Sequence, residues 1–183
     1  MTGRLVLVVG PSGAGKDSVM KGARARLQGD ESVVFPRRMI TRPCEPEGED
    51  HDSTDPASFS VMQAAGAFAL AWSAHGLCYG IPASIDRDIR AGRTVVVNVS
   101  RGVIDQARRL YPGLLVVCIS AERDLLRRRL LDRGREETDA VEARVERASA
   151  FAIHGPDVSN IDNGGPLANS VERFLTLLQP DSA

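Results

Sequence analysis

The chain has 183 residues, 43% hydrophobic and 26% charged, with a formal net charge of −1. This length is typical of one domain with a sizeable core, and the balanced charge gives no indication of a nucleic-acid partner. Cys44, Cys78 and Cys118 are odd in number and widely spaced, which argues against a disulfide framework or a zinc site and favours reduced thiols in a cytoplasmic protein. The short apolar run near the N-terminus predicts neither a signal peptide nor a membrane span.

The first predicted elements are a strand at Leu5–Val9, a glycine-rich loop and a helix at Ser18–Leu27. Both glycines and the lysine of the loop have the spacing of a phosphate-binding P-loop, in the strand, loop and helix context that this motif requires. Backbone N–H groups and the helix N-terminus would hold the phosphates of ATP, with Lys16 on the β and γ oxygens. The predicted ATP-binding residues are Gly10, Pro11, Ser12, Gly13, Ala14, Gly15, Lys16, Asp17 and Ser18.

One position of this loop departs from the usual motif. Asp17 stands where Ser or Thr normally holds magnesium. Its carboxylate could ligate Mg²⁺ directly or through water, or Ser18 could take over the contact through a small change in register, and the sequence leaves both possibilities open. We expect Lys16 and Asp17 to be catalytic. Lys16 is one of only two lysines in a chain with 23 Lys and Arg residues, which favours a need for a compact point charge.

The next segment carries a cluster of arginines. It follows a predicted strand at Val33–Phe35 and includes Arg37, Arg38, Thr41 and Arg42. Guanidinium groups suit an acceptor phosphate, so we predict substrate contacts from Arg38, Thr41 and Arg42, although a solvated arginine-rich face is an alternative for Arg37 and Arg38. The polar stretch Arg42–Pro56 predicts a loop or small flap on the substrate side.

A predicted strand at Phe68–Trp72 precedes a tyrosine set between small residues, Tyr79. Its phenol is a candidate substrate ligand, and half-buried packing is the alternative. Two further predicted strands follow at Thr94–Val99 and Leu114–Ile119, with another at Val158–Ile161. The predicted helices of this half are Gly102–Tyr111, Glu122–Arg133, Thr138–Phe151 and Leu167–Leu178.

A dense basic block occupies the junction of two of these helices. Because successive helical residues point in different directions, most of its arginines must face solvent. The flexible break at Arg133-Gly134-Arg135 nevertheless predicts a lid, in which Arg133 and Arg144 are candidate catalytic residues that close over the transferring phosphoryl and exclude water.

Alternating strands and helices predict an α/β fold with a parallel sheet covered by helices. We expect a single domain over 1–183, with the acceptor-binding segment at about 36–92 and the lid at about 127–147.

Several short motifs, in order along nearly the whole chain, resemble the guanylate kinase branch of the P-loop kinases. They are the P-loop, Thr41-Arg42, Gly48 with Asp50, Tyr79-Gly80, Arg133-Gly134 and Arg144. This resemblance implies a P-loop NTPase fold of the nucleoside monophosphate kinase type, with a substrate flap and a lid. Within that branch the chain is similar to the ribose 1,5-bisphosphate phosphokinase family of phosphonate catabolism, through Gly15-Lys16-Asp17-Ser18, Ile40-Thr41-Arg42, Asn98-Val99-Ser100-Arg101 and Arg133-Gly134-Arg135-Glu136.

The departures from guanylate kinases favour a different acceptor. Guanine presents N–H donors that need carboxylate acceptors, and the positions that supply them in guanylate kinases are Ala71, Asn98 and Ser100 here. Each unpaired buried donor costs about 1 to 3 kcal/mol, so a guanine acceptor is disfavoured. His51 stands where guanylate kinases have a second phosphate-binding tyrosine.

The resemblance therefore implies phosphorylation of ribose 1,5-bisphosphate by ATP with Mg²⁺, giving 5-phosphoribosyl 1-diphosphate. It implies substrate contacts from Arg38, Thr41, Arg42, His51, Tyr79, Asn98 and Ser100. The partners expected are ATP and a phosphorylated sugar, without nucleic acid or membrane. The rival hypotheses are a guanylate kinase, another small-molecule P-loop kinase and, from a different functional class, a guanylate kinase-like protein-interaction module. Such modules characteristically lack a functional P-loop.

Overall fold

The computed structural model describes residues 3–43, 50–132, 141–142, 145–146 and 152–179. The strands are β1 (Arg4–Val9), β2 (Val33–Val34), β3 (Arg38–Ile40), β4 (His51–Ser53), β5 (Phe68–Ala74), β6 (Leu77–Pro82), β7 (Thr94–Asn98), β8 (Leu115–Ser120) and β9 (Val158–Asp162). The helices are α1 (Lys16–Arg26), α2 (Pro56–Ala64), α3 (Ile85–Arg90), α4 (Ile104–Leu110), α5 (Arg123–Asp132) and α6 (Leu167–Leu178). A short 3₁₀ helix, Arg101–Val103, leads into α4.

The strands form two sheets. The larger has the order β2-β7-β1-β8-β9, in which β2 pairs with β7 and β8 with β9 in parallel. The smaller has the order β4-β3-β6-β5 and is mixed, because β3 is parallel to β4 and antiparallel to β6. The strands β1, β7 and β8 are apolar runs that bury nearly every side chain, as expected for parallel strands covered on both faces.

The chain divides into two compact units. The acceptor unit comprises residues 3–7 and the described residues of 29–114, and it contains the whole of the smaller sheet. The P-loop unit comprises residues 8–28 and the described residues from 115 onward. In the P-loop unit, α1 and α6 pack closely at Gly22, where a Cβ atom would lie only 2.6 Å from Cγ2 of Val171.

The predicted parallel α/β fold is confirmed, and the predicted strands are present within one or two residues of their expected bounds. The helix predicted at Gly102–Tyr111 begins as 3₁₀ and becomes α-helical only at Ile104. Of the helix predicted at Thr138–Phe151, residues 141–142 and 145–146 are helical and the others lie outside the described residues.

The acceptor unit contains elements that the sequence analysis missed: β3, β4, β6, α2 and α3. The polar stretch Arg42–Pro56 is therefore not a loop throughout, because β4 lies within it and α2 begins at its end. A local signal for α2 was present, since Asp55 caps the N–H groups of Ala57 and Ser58 and Pro56 stands at the first helical position.

Candidate active site

The P-loop adopts a backbone that only glycine accommodates easily. Gly13 and Gly15 have φ values of 85° and 87°, in the left-handed region. Gly10 faces a different constraint, because a Cβ atom there would lie 2.1 Å from the carbonyl oxygen of Ile119 in β8. The loop ends at Gly15, whose carbonyl accepts the first hydrogen bond of α1 from Val19 N–H at 3.0 Å. The predicted loop therefore has the compact form on which phosphate binding depends.

Lys16 begins α1 and folds back over the loop. Its Nζ donates to the carbonyl oxygens of Gly10 at 2.8 Å and Pro11 at 3.0 Å. These bonds hold the ammonium at the mouth of the loop. Cys118 of β8 interacts electrostatically with the Lys16 ammonium. Burial raises the pKa of its thiol, while the charge of Lys16 opposes that rise.

The P-loop also contacts two residues that the sequence analysis did not select. Asn163, which directly follows β9, is 2% exposed and donates from Nδ2 to the Ala14 carbonyl at 2.8 Å. Arg129 of α5 donates to the carbonyl oxygens of Asn163 at 3.0 Å and Gly13 at 3.5 Å. These residues are more than a hundred positions from the loop along the chain, so no local sequence pattern could connect them to it.

Asp17 and Ser18 both lie in the first turn of α1, and both side chains are exposed. Among the residues that the structure describes, no group of three or more His, Cys, Asp or Glu side chains forms a ready-made metal site. Mg²⁺ usually binds through one or two carboxylates together with substrate phosphates and waters, and an exposed carboxylate such as that of Asp17 is a ligand of this kind.

In the acceptor unit, three strands bring Arg38 against an aromatic pair. Trp72 and Tyr79, which are partners in the β5–β6 ladder, stack with ring centroids 5.2 Å apart and planes 8° apart. The Arg38 guanidinium carbon lies 6.0 Å from the centroid of Trp72 and 5.5 Å from that of Tyr79. Arg38 is 8% exposed and donates from Nη1 to the Asn98 carbonyl at 2.8 Å. The Arg38 side chain is thus buried and makes defined contacts, so it does not belong to a solvated face.

Thr41 and Arg42 follow β3 directly. The Thr41 hydroxyl accepts from the Cys78 N–H at 2.8 Å, which joins the end of β3 to β6. The Arg42 carbonyl accepts from Ser53 Oγ at 2.7 Å and from His51 Nε2 at 3.2 Å. Arg42 Nε is buried and has no hydrogen-bond partner in the described part of the chain. A buried donor of this kind is costly unless something accepts from it.

His51 is 1% exposed, and its Nε2 donates to the backbone carbonyl of Arg42. That geometry indicates a residue that positions Arg42. Arg37 turns toward the same strand: it donates to the His51 carbonyl at 2.8 Å and forms ion pairs with Asp50 at 2.9 Å and Asp52 at 3.2 Å. Arg37 therefore contributes to the flap.

The remaining predicted residues fall into two groups. Ser100 is half-buried and precedes the 3₁₀ helix, with its carbonyl accepting from the Val103 N–H at 3.0 Å. The predicted lid arginines, Arg133 and Arg144, lie outside the described residues. Near the predicted lid segment, Arg127 pairs with Glu142 and Arg123 with Glu146. Leu130, Val141 and Val145 form a buried apolar cluster in the same part of the chain.

The sequence is similar to curated proteins over nearly its full length. A protein from Chelativorans sp. strain BNC1, named ribose 1,5-bisphosphate phosphokinase PhnN, is 47% identical, with 99% of this chain and 87% of that protein covered. Proteins of the same name from Pseudomonas paraeruginosa and Brucella melitensis are 46% and 48% identical. The alignment with the Pseudomonas protein covers 100% of this chain and 99% of that protein. The alignment with the Brucella protein covers 94% of this chain and 90% of that protein. No protein-family model matches the chain.

The fold is similar to that of a solved guanylate kinase from Anaplasma phagocytophilum. The TM-score is 0.70 at 15% identity, with 97% of this chain and 85% of that chain covered. At this identity the likeness concerns the fold alone. No helix within the described ranges is long and apolar enough to cross a membrane.

Proposed function

The chain belongs to the ribose 1,5-bisphosphate phosphokinase family, and from this we propose that it transfers the γ-phosphoryl group of ATP to the 1-phosphate of ribose 1,5-bisphosphate. The products are ADP and 5-phosphoribosyl 1-diphosphate. The proposal places the protein in phosphonate catabolism and, given its cysteine usage and its need for ATP, in the cytoplasm.

The reaction needs little acid or base chemistry from the protein. An oxygen of the 1-phosphate attacks the γ-phosphorus, the bond from that phosphorus to the bridging oxygen breaks, and its electron pair leaves with ADP. A phosphate monoester has its second pKa near about 6, so the attacking oxygen is already ionised at neutral pH. Catalysis therefore consists of alignment and charge neutralisation.

On the donor side, we assign the triphosphate to the P-loop. Its N–H groups and the N-terminus of α1 would hold the β and γ phosphates. Lys16 is already poised over the loop, where it bonds the carbonyl oxygens of Gly10 and Pro11, and we propose that it exchanges these for phosphate oxygens as charge develops.

Magnesium is the cofactor that we propose, and the first turn of α1 offers ligands for it. Bound Mg²⁺ would neutralise charge on the β and γ oxygens. The exposed Asp17 carboxylate, or the neighbouring Ser18 hydroxyl, would hold it beside the loop. The positive end of α1 favours the charge of Asp17 at this position.

The choice of acceptor depends on one observation, the buried guanidinium of Arg38. This cation lies over the Trp72 and Tyr79 rings and donates to the Asn98 carbonyl. A guanine would need acceptors for its N–H groups, but a guanidinium is a donor only. A buried cation suits the anionic oxygens of a phosphorylated sugar without a base.

Arg42 is our proposed ligand of an acceptor phosphate. Its buried Nε lacks a partner within the described residues, and a phosphate oxygen would supply one. His51 and Ser53 hold the Arg42 carbonyl, so we propose that His51 acts on the substrate through Arg42. Thr41, Tyr79, Asn98 and Ser100 complete the proposed acceptor site, and Arg133 and Arg144 the proposed lid.

Parallel assays test this function against its rivals. Purified protein receives Mg²⁺ and ATP with either ribose 1,5-bisphosphate or GMP, and ADP and the phosphorylated product are quantified. We expect product from the sugar and none above background from GMP. Turnover of GMP alone would establish a guanylate kinase, and tight ATP binding without turnover of either acceptor would favour an interaction module.

A further inference from the structure

The contact between Asn163 and the P-loop joins the end of β9 to the loop between β1 and α1. Nδ2 of Asn163 donates to the Ala14 carbonyl at 2.8 Å, and the Asn163 N–H donates to the Ser120 carbonyl at the end of β8 at 2.7 Å. The side chain is 2% exposed. Only a donor can face a carbonyl oxygen, so the amide orientation is determined.

This bond controls the direction of a neighbouring N–H group. A trans peptide is planar, with its C=O and N–H pointing to opposite sides. Holding the Ala14 carbonyl toward Asn163 therefore turns the Gly15 N–H toward the opposite side of the loop. Phosphate binding in P-loops depends on such backbone N–H groups. Asn163 thus acts on an N–H that belongs to the predicted phosphate cradle.

The Asn163 side chain lies so close to Gly15 that no larger residue would fit at that position. A Cβ atom on Gly15 would lie 2.3 Å from Nδ2 of Asn163 and 3.7 Å from Nη1 of Arg129. The Arg129 guanidinium adds a second contact, since it donates to the Asn163 carbonyl at 3.0 Å and to the Gly13 carbonyl at 3.5 Å. The end of β9 and one turn of α5 thus hold two successive carbonyls on one side of the loop.

We propose that Asn163 is a positioning residue for nucleotide binding, and that Arg129 supports it by bonding both Asn163 and the loop. The two act through the backbone of residues 13–15. The inference depends on the proposed function only in taking a nucleoside di- or triphosphate as the ligand of the P-loop.

A purely packing role for Asn163 is disfavoured by its other amide atom. Oδ1 is buried and has no hydrogen-bond partner within the described part of the chain. An unsatisfied buried acceptor opposes folding, whereas a leucine of similar volume would fill the same space without that cost. The asparagine therefore costs stability while its donor orients the loop, a pattern found at functional sites.

Calorimetric titration with MgADP tests the proposal, because it requires no acceptor substrate. Asn163→Leu retains the volume and removes the donor, Asn163→Asp places a carboxylate against the Ala14 carbonyl, and Arg129→Met removes the supporting contacts. Asn160→Leu, at an exposed asparagine of β9 three residues before Asn163, is the control. We expect about 10- to 100-fold weaker MgADP binding for the two Asn163 variants, about threefold for Arg129→Met and no change for the control.

Thermal unfolding of each variant separates positioning from stability. A merely structural Asn163 would alter the melting temperature but leave the affinity of the folded protein unchanged, and that result would overturn the proposal. Equal weakening by Asn160→Leu would overturn it too. If neither Asn163 variant folds, unchanged MgADP binding by Arg129→Met is the overturning result. Failure of the sugar assay leaves this titration interpretable, so the two proposals fail separately.

Discussion

The P-loop and the acceptor segment, which we propose as the two phosphate-binding regions, differ in how they are built. The P-loop uses backbone geometry within eight successive residues, with Gly13 and Gly15 in left-handed conformations and Lys16 folded back over them. For the acceptor segment we propose side chains from several strands, among them Arg38 of β3 and Tyr79 of β6. A local backbone motif is readable in a sequence, whereas a site assembled across strands depends on their pairing.

The difference extends to how each region tolerates change. In the P-loop, the neighbour of Gly10 is the backbone of β8, which cannot move aside. In the acceptor segment, the neighbour of Gly80 is the ring of Phe68, at 2.5 Å from a would-be Cβ atom, and a side chain can shift. Because ATP is needed for every turnover, we expect variants of the P-loop to lower kcat/KM for both substrates. Variants of the acceptor segment should lower kcat/KM for the acceptor alone.

Lys16→Met should produce the largest loss. It removes the compact charge at the transferring phosphoryl, and we expect kcat/KM to fall about a thousandfold with either substrate varied. Lys21→Met is the matched control, because Lys21 is exposed on the same helix and is the only other lysine of the chain. Steady-state kinetics with a coupled ADP assay measure both. A loss confined to the acceptor KM would contradict the division between the two regions.

Arg42→Lys should come next, with an effect restricted to the acceptor. Lysine keeps the charge but has no Nε fork for a phosphate, so kcat/KM for ribose 1,5-bisphosphate should fall about 10- to 100-fold. The KM for ATP should stay within about twofold. Arg87→Lys, at an exposed arginine of α3, is the control. An equal rise in both KM values would show that Arg42 supports the fold and does not bind the acceptor.

Asp17→Ala should have the smallest effect of the three variants. It tests which residue on the donor side holds the magnesium ion. If Asp17 holds the magnesium, the Mg²⁺ concentration for half-maximal rate should rise about tenfold, with part of the rate regained at high Mg²⁺. Ser18→Ala, one residue along the same exposed turn, is the matched comparison. A Mg²⁺ titration of initial rates decides between them, and an unchanged curve for Asp17→Ala removes that residue from the mechanism.

The predictions from sequence succeeded where the signal was local. The strand, glycine loop and helix from Leu5 to Leu27 were recognisable because backbone conformation and residue type are directly linked there. The β5–β6 hairpin was missed. Its two-residue turn is formed by His75 and Gly76, which both have positive φ, and a backbone angle of this kind is not visible in the sequence. The short strand β4 pairs with β3, and β3 pairs in turn with β6. Because this pairing holds both strands, their own residues show little preference for strand structure.

By itself, the sequence determined the P-loop and the parallel α/β class, because glycine spacing and the alternation of apolar runs are local patterns. Its resemblance to guanylate kinases implied the absence of guanine-binding carboxylates at Ala71, Asn98 and Ser100. Only the tertiary structure decided that Arg38 lies over Trp72 and Tyr79, that His51 holds Arg42, and that Asn163 and Arg129 hold the P-loop. These contacts join residues 9 to 149 positions apart, and such contacts form only once strand order and register have brought the elements together.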